Sequence, residues 1–286
     1  MKVQERLLLK KRAVEAELDR LIPDEDSLLI QAIRYAVLSG GKRFRPLLAL
    51  CSGESFGLNQ EVILPFACAV ELIHNYSLIH DDLPIMDDDD FRRGKPSCHK
   101  AFGEDVALLA GDALLTLAFE IIASAPVGKQ YFTRKERFMK EMAQSAGING
   151  MVGGQLLDIT LLPEKLSEKH LLDLLERKTG ALIMIAVKVG PILAEASSPV
   201  LNFMIDYGRN IGMAFQIRDD ILDLPETSSP SYPKGPNAAS YFGLEEAKTR
   251  LENHVRLAIE ALDQASLKSE ELRFLASKLL EIEKSL

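Results

Sequence analysis

Apolar residues recur at three- and four-residue spacing along almost the whole chain, and this period predicts helices from end to end. The candidate segments are roughly 3–21, 26–38, 44–56, 61–82, 104–124, 131–146, 167–189, 199–223, 244–265 and 268–284. No run of alternating β-branched residues predicts a strand. Start and stop signals support several of the helices. Pro23 and Asp26 precede the second, Gly40 and Gly41 end it, Asn59 precedes the fourth, and Ser167 with His170 leads into LLDLLERK. Segments 61–82, 104–124 and 199–223 are long and apolar, which predicts central members of a bundle. The expected fold is all-α, a single domain over 1–286, with ten or more helices around a central cavity. One segment breaks the pattern: 224–243, LPETSSPSYPKGPNAASYFG, holds Pro225, Pro230, Pro233 and Pro236 and reads as a mobile loop.

Composition narrows the picture without redrawing it. Apolar residues make up 47% and charged residues 27% of the 286, an ordinary globular balance. A net charge of -8 argues against nucleic acid or an anionic membrane surface as partner. The most apolar stretches, 106–126 and 180–196, are interrupted by Asp112, Glu120, Lys188, Gly190 and Pro191, so stable membrane insertion is not expected. Three cysteines, Cys51, Cys68 and Cys98, form no CxxC pair and suit a reducing cytoplasm.

Against this background the stretch HDDLPIMDDDDFRRG stands out. Asp81, Asp82, Asp87, Asp88, Asp89 and Asp90 crowd into ten positions, followed at once by Arg92 and Arg93. A solvated charge run is the ordinary meaning of such clustering, but the apolar helical pattern ACAVELIHNYSLI leads straight into it. Carboxylates held together on a core helix repel one another unless a cation joins them, and oxygen ligands suit magnesium. On a straight helix Asp81 and Asp87 would point to opposite faces. Pro84 stops the helix, so the chain can loop and return Asp87 to Asp81. A second group, FQIRDDILD, sets Asp219 and Asp223 at i, i+4 on one helical face, with Gln216 just before. The expectation is two aspartate pairs facing each other across a cleft. Basic residues accompany them: Lys42, Arg43 and Arg45 in GGKRFRP, and Lys178 in KTGALI. Taken alone, each basic group reads equally as surface charge or helix-end charge.

GGKRFRP, ELIHNYSLIHDDLPIMDDDDFRRG, HKAFGEDVALLAGDALL, GMVGGQLLD, KTGALI and FQIRDDILD, in this order and spacing, resemble the trans-isoprenyl diphosphate synthase (polyprenyl synthetase) family over about 30–265. The resemblance is greatest to bacterial farnesyl and geranylgeranyl diphosphate synthases. It implies that Asp81, Asp82, Asp87, Asp219, Asp220 and Asp223 hold three magnesium ions on the diphosphate of an allylic substrate, which Arg92 also contacts. Lys42, Arg45, His74 and Arg93 would bind isopentenyl diphosphate. Lys178, Thr179 and Gln216 would face the leaving diphosphate and the developing cation, while Gln155 and Asp158 would line or brace the cavity. Tyr76 and Ser77, at five and four positions before Asp81, would form the floor that stops chain growth.

The implied activity is condensation of isopentenyl diphosphate with dimethylallyl or geranyl diphosphate to farnesyl diphosphate, with geranylgeranyl diphosphate as the alternative product. The implied protein is a cytoplasmic homodimer. The family's lid, with its Gly-Lys pair and Lys-Ser/Thr-Thr element, is replaced here by the short proline-rich segment, in which Lys234 is the only basic residue and stands for one family lysine. The altered lid raises a non-catalytic partner subunit as a second reading, although both aspartate groups are retained. A class I terpene cyclase is a third, but it offers no use for GGKRFRP, His74 and Arg93.

Overall fold

The computed structural model describes residues 1–161, 166–224 and 236–282. Lys234 and most of the proline-rich segment lie outside these residues. Cα packing divides the chain into two compact units, 1–139 and 140–286.

The first unit is built on α4 (Gln60–Asp81), which packs on α1 (Val3–Leu21), α2 (Leu28–Leu38), α3 (Phe44–Ser55) and α6 (Glu104–Ser124). The apolar positions of α4 surround its axis and are buried, including Ile63, Phe66, Val70, Leu72 and Ile73. Such an all-round pattern suits a helix enclosed by others. Arg43, just before α3, is buried, pairs with the buried Glu71 at 2.8 Å and donates to the Val37 carbonyl at 2.6 Å. The GGKRFRP basic group is therefore partly structural. Two described helices, α4 and α6, are long and apolar enough to cross a membrane; 72% of the apolar window of α4 is buried in the protein, against 39% for α6.

After α4 come a loop and a hairpin that alternation did not reveal. β1 (Phe91–Arg92) pairs antiparallel with β2 (Lys95–Pro96), with Arg92 opposite Lys95. The connecting residues Arg93 and Gly94 have φ of 55° and 75°, the pattern of a type I′ turn. Strands of two residues are too short to show a period. A short helix, α5 (Cys98–Phe102), follows.

The division between units falls within α7 (Phe132–Ala146). The second unit is built on α11 (Ser198–Leu222), packed mainly against α13 (Leu244–Gln264) and α10 (Ala181–Leu193). Lys188, the charge within the apolar α10, pairs with Glu141. The segment expected as one helix over 167–189 is α9 (Glu168–Leu175), a π turn (Glu176–Gly180) and then α10. Three further differences are informative. GMVGGQLLD forms part of a helix, α8 (Met151–Thr160), despite its glycines. Within the expected loop, Asn237 accepts from the Ser240 amide and starts α12 (Ala238–Phe242). The last expected helix, 268–284, is the shorter α14 (Glu270–Ser277) followed by a 3₁₀ turn.

Candidate active site

In the first unit, α4 ends at Asp81, and Pro84 lies in the turn that follows. The amide of Asp87 donates to the Asp81 carbonyl at 2.8 Å, so the loop returns as the proline suggested. Asp81 and Asp87 are both partly exposed. Asp82 is buried and grips Arg92 through Nε at 3.0 Å and through Nη2, while Asp89 takes Arg92 Nη2 at 3.0 Å. Burial raises the Asp82 carboxyl above its ordinary range even though Arg92 opposes the shift. Asp90 pairs with Lys100 at 2.7 Å. The later acids thus serve nearby cations. Among the described residues, three potential metal-ligand atoms converge within 4.8 Å at Asp88, Asp90 and His99, and not at Asp81, Asp82 and Asp87.

A cationic cluster lies in the same unit. Arg45 is 8% exposed. Arg93 donates to Asn75 Oδ1 at 3.3 Å and lies against Gly41. His74 is held well below its ordinary value by burial and by Arg45, Arg93, Arg43 and Arg92 in turn, so it is neutral near pH 7. Arg93 is itself lowered, by burial first, with Arg43 and Arg92 adding to the shift and Glu71 opposing it. Lys42 stands exposed at the start of the cluster. Tyr76 is 5% exposed, and burial with the charge of Asp81 pushes its hydroxyl up to about 12. Ser77 donates to the His74 carbonyl at 2.9 Å, which turns its hydroxyl back on its own helix.

The second unit brings together α8, the π turn and α11. A Cβ at Gly154 would lie 2.3 Å from the Lys178 backbone nitrogen, and one at Gly212 would lie 2.7 Å from the Gly180 Cα. Only glycine lets α8 and α11 approach the π turn so closely. Held there, Lys178 pairs with Asp158, and Thr179 donates to Gln216. Gln216 in turn donates to Asp220 at 2.8 Å. Asp220 also accepts from the Ala238 amide at 2.6 Å, and burial pushes its carboxyl up to about 6. Asp219 is partly exposed and Asp223 exposed, joined by a backbone bond of 3.0 Å from the Asp223 amide. Arg218, which the sequence did not single out, is buried beside Asp219 and donates to the Glu281 carbonyl at 3.1 Å. Gln155 has a buried side-chain amide without a hydrogen-bond partner among the described residues, an unusual state for a polar group.

Both units therefore present a more open aspartate pair and an additional buried aspartate held by protein donors. The open carboxylates form an oxygen-only donor set that fits magnesium. The engaged pair, Asp82 and Asp220, fits a bracing role better.

Comparison with known proteins adds a further observation. The polyprenyl synthetase family model matches residues 26–232. The chain is 39% identical over 255 residues to the farnesyl diphosphate synthase of Bacillus subtilis (strain 168), covering 86% of each chain. It is 40% identical over 271 residues to the geranylgeranyl diphosphate synthase of Cyanophora paradoxa, covering 88% of this chain and 87% of the other. Among solved structures, the geranyltransferase of Legionella pneumophila superposes with a TM-score of 0.88 at 34% identity, covering 97% of this chain and 96% of that one.

Proposed function

The chain belongs to the polyprenyl synthetase family, and we propose that it condenses isopentenyl diphosphate with dimethylallyl or geranyl diphosphate to give chiefly farnesyl diphosphate. The observation that carries the two-substrate reading is the cluster of Arg43, Arg45, Arg92 and Arg93 around His74: after burial the four arginines hold His74 down, and Arg43 and Arg92 help burial lower Arg93 despite Glu71. Such a concentration of cationic side chains around a neutral histidine suits a diphosphate. It has no use in a cyclase that binds a single diphosphate, and a merely stabilising subunit would need neither aspartate pair.

In this reading Asp81, Asp87, Asp219 and Asp223 hold magnesium, with Asp82 and Asp220 bracing them. Bound magnesium supplies positive charge to the diphosphate that leaves. Arg92 contacts that group, and Lys178, aimed by Asp158, stabilises its charge as the allylic C–O bond breaks. Lys42, Arg45, Arg93 and neutral His74 hold isopentenyl diphosphate so that its double bond lies in line with the allylic carbon. The electron pair of that double bond forms the new C–C bond. The departing diphosphate then takes the proton whose loss restores an alkene. Thr179 and Gln216 face the developing cation, and Gln155 offers its amide to substrate. Lys234 stands for one lid lysine.

Tyr76 forms the floor of the growth cavity with Ser77 beside it, and its size favours farnesyl over geranylgeranyl product. The protein acts in the cytoplasm as a homodimer. No nucleic acid or lipid bilayer is involved. Incubation of the purified protein with magnesium, isopentenyl diphosphate and geranyl diphosphate will yield farnesyl diphosphate and free diphosphate. Turnover that appears only when a second subunit is added would overturn this reading, and light scattering checks the dimer.

A further inference from the structure

In the first unit α4 meets α6 through His80. Its Nε2 lies 3.0 Å from the Leu108 carbonyl oxygen and 4.0 Å from Asp112 Oδ1. The carbonyl calls for the N–H at Nε2. One turn along α6 from Leu108 is Gly111, where a Cβ would lie 2.1 Å from Nε2 and 2.4 Å from Cδ2 of the same ring. The imidazole therefore occupies a notch that only glycine leaves open. The ring also meets Tyr76, one helical turn earlier on α4, in an edge-to-face pair with centroids 5.8 Å apart at 76°.

We propose that His80 is a positioning residue for product length: seated in the Gly111 notch and tied to the Leu108 carbonyl, it fixes the ring angle of Tyr76. The inference rests on the reading that Tyr76 ends the growth cavity. Edge-to-face packing resists ring rotation, and the Nε2 bond keeps the imidazole from following the tyrosine when a growing chain presses on it. A freed Tyr76 ring turns aside and admits one more unit. His80 touches neither substrate, and its influence passes through Tyr76.

The test is the ratio of geranylgeranyl to farnesyl product at matched total turnover, with thermal melts confirming that each variant is folded. His80→Ala is expected to raise the ratio roughly threefold to tenfold, the range set by releasing an aromatic rotamer. Gly111→Ala, which drives the ring from its notch, should raise it in the same direction. His80→Gln, which keeps an N–H donor for the Leu108 carbonyl, should fall between His80→Ala and the parent. In a Tyr76→Ala background, His80→Ala should add nothing further. If Tyr76→Ala lengthens the product while folded His80→Ala and Gly111→Ala retain the parental ratio, the inference about His80 is overturned and the floor reading stands. An unchanged product from Tyr76→Ala overturns the floor reading, and the action of His80 through it.

Discussion

The two aspartate groups have similar composition and are neutralised in opposite ways. At the end of α4 the additional acids meet cations: Asp82 and Asp89 share Arg92, and Asp90 takes Lys100. At the end of α11 the additional acid meets neutral donors, the Gln216 amide and the Ala238 backbone N–H, and its carboxyl rises to about 6. The first arrangement meets its additional acids with cations from the residues that follow, Arg92 and Lys100. The second leaves a carboxylate that is costly to keep ionised in the absence of external positive charge. Similar acid clusters can therefore place very different demands on what surrounds them.

The largest expected effect tests what the groups share. Asp81→Ala and Asp219→Ala should each lower kcat roughly 10²- to 10³-fold, as loss of stabilisation for the leaving group implies, measured by diphosphate release at saturating magnesium. Next comes a substitution that separates the units. Gly154→Ala forces a Cβ onto the Lys178 backbone and should cost about 1–3 kcal/mol in urea unfolding, together with loss of kcat. The opposite neutralisation is tested by a pair. Asp82→Asn should destabilise by roughly 1–2 kcal/mol, moderated because Arg92 is 36% exposed, while Asp220→Asn should be nearly neutral because its amide oxygen still accepts from Ala238 and its NH2 group is met by Gln216 turning its own amide over, with Thr179 then accepting. Equal losses in urea unfolding would erase the distinction.

A smaller effect comes from pH. Native His74 resists protonation, so below about pH 6.5 the unfolded chain binds a proton that the folded chain refuses. The His74 contribution to stability should therefore fall as pH drops from 7 to 5, while Asp220, raised to about 6, contributes in the opposite direction, so His74→Gln should lose less stability than the parent over that range. The smallest effect belongs to Asp90→Asn, which removes an exposed pair and should leave turnover within about twofold.

Much of this molecule was legible in its sequence, for reasons that differ by region. Long amphipathic or all-apolar segments declared the principal helices, and Pro84 announced the return of Asp87 to Asp81. What stayed hidden depends on close approach rather than on periodicity. The glycines that hid α8 are tolerated because Gly154 must touch the π turn. Asn237, inside a proline-rich segment, starts a five-residue helix whose first amide belongs to Asp220. The roles of Arg43 and Arg218 rest on partners far along the chain, Glu71 and Glu281, and no local pattern encodes such pairings.

The π turn at Glu176–Gly180 also bears on how this chain can change. A π turn holds one residue more than an α turn, so it amounts to an insertion absorbed without breaking the helix. Loss of a single codon there would restore a plain α-helix and leave α10 in place. Because the bulge already absorbs the extra residue, α9 and α10 would both keep their faces, and what is lost is the local swelling of the backbone that carries Lys178 and Thr179. A one-residue deletion is thus tolerated here better than elsewhere in a helix, and a deletion scan across these five positions would show how far the bulge is needed to bring Lys178 to Asp158.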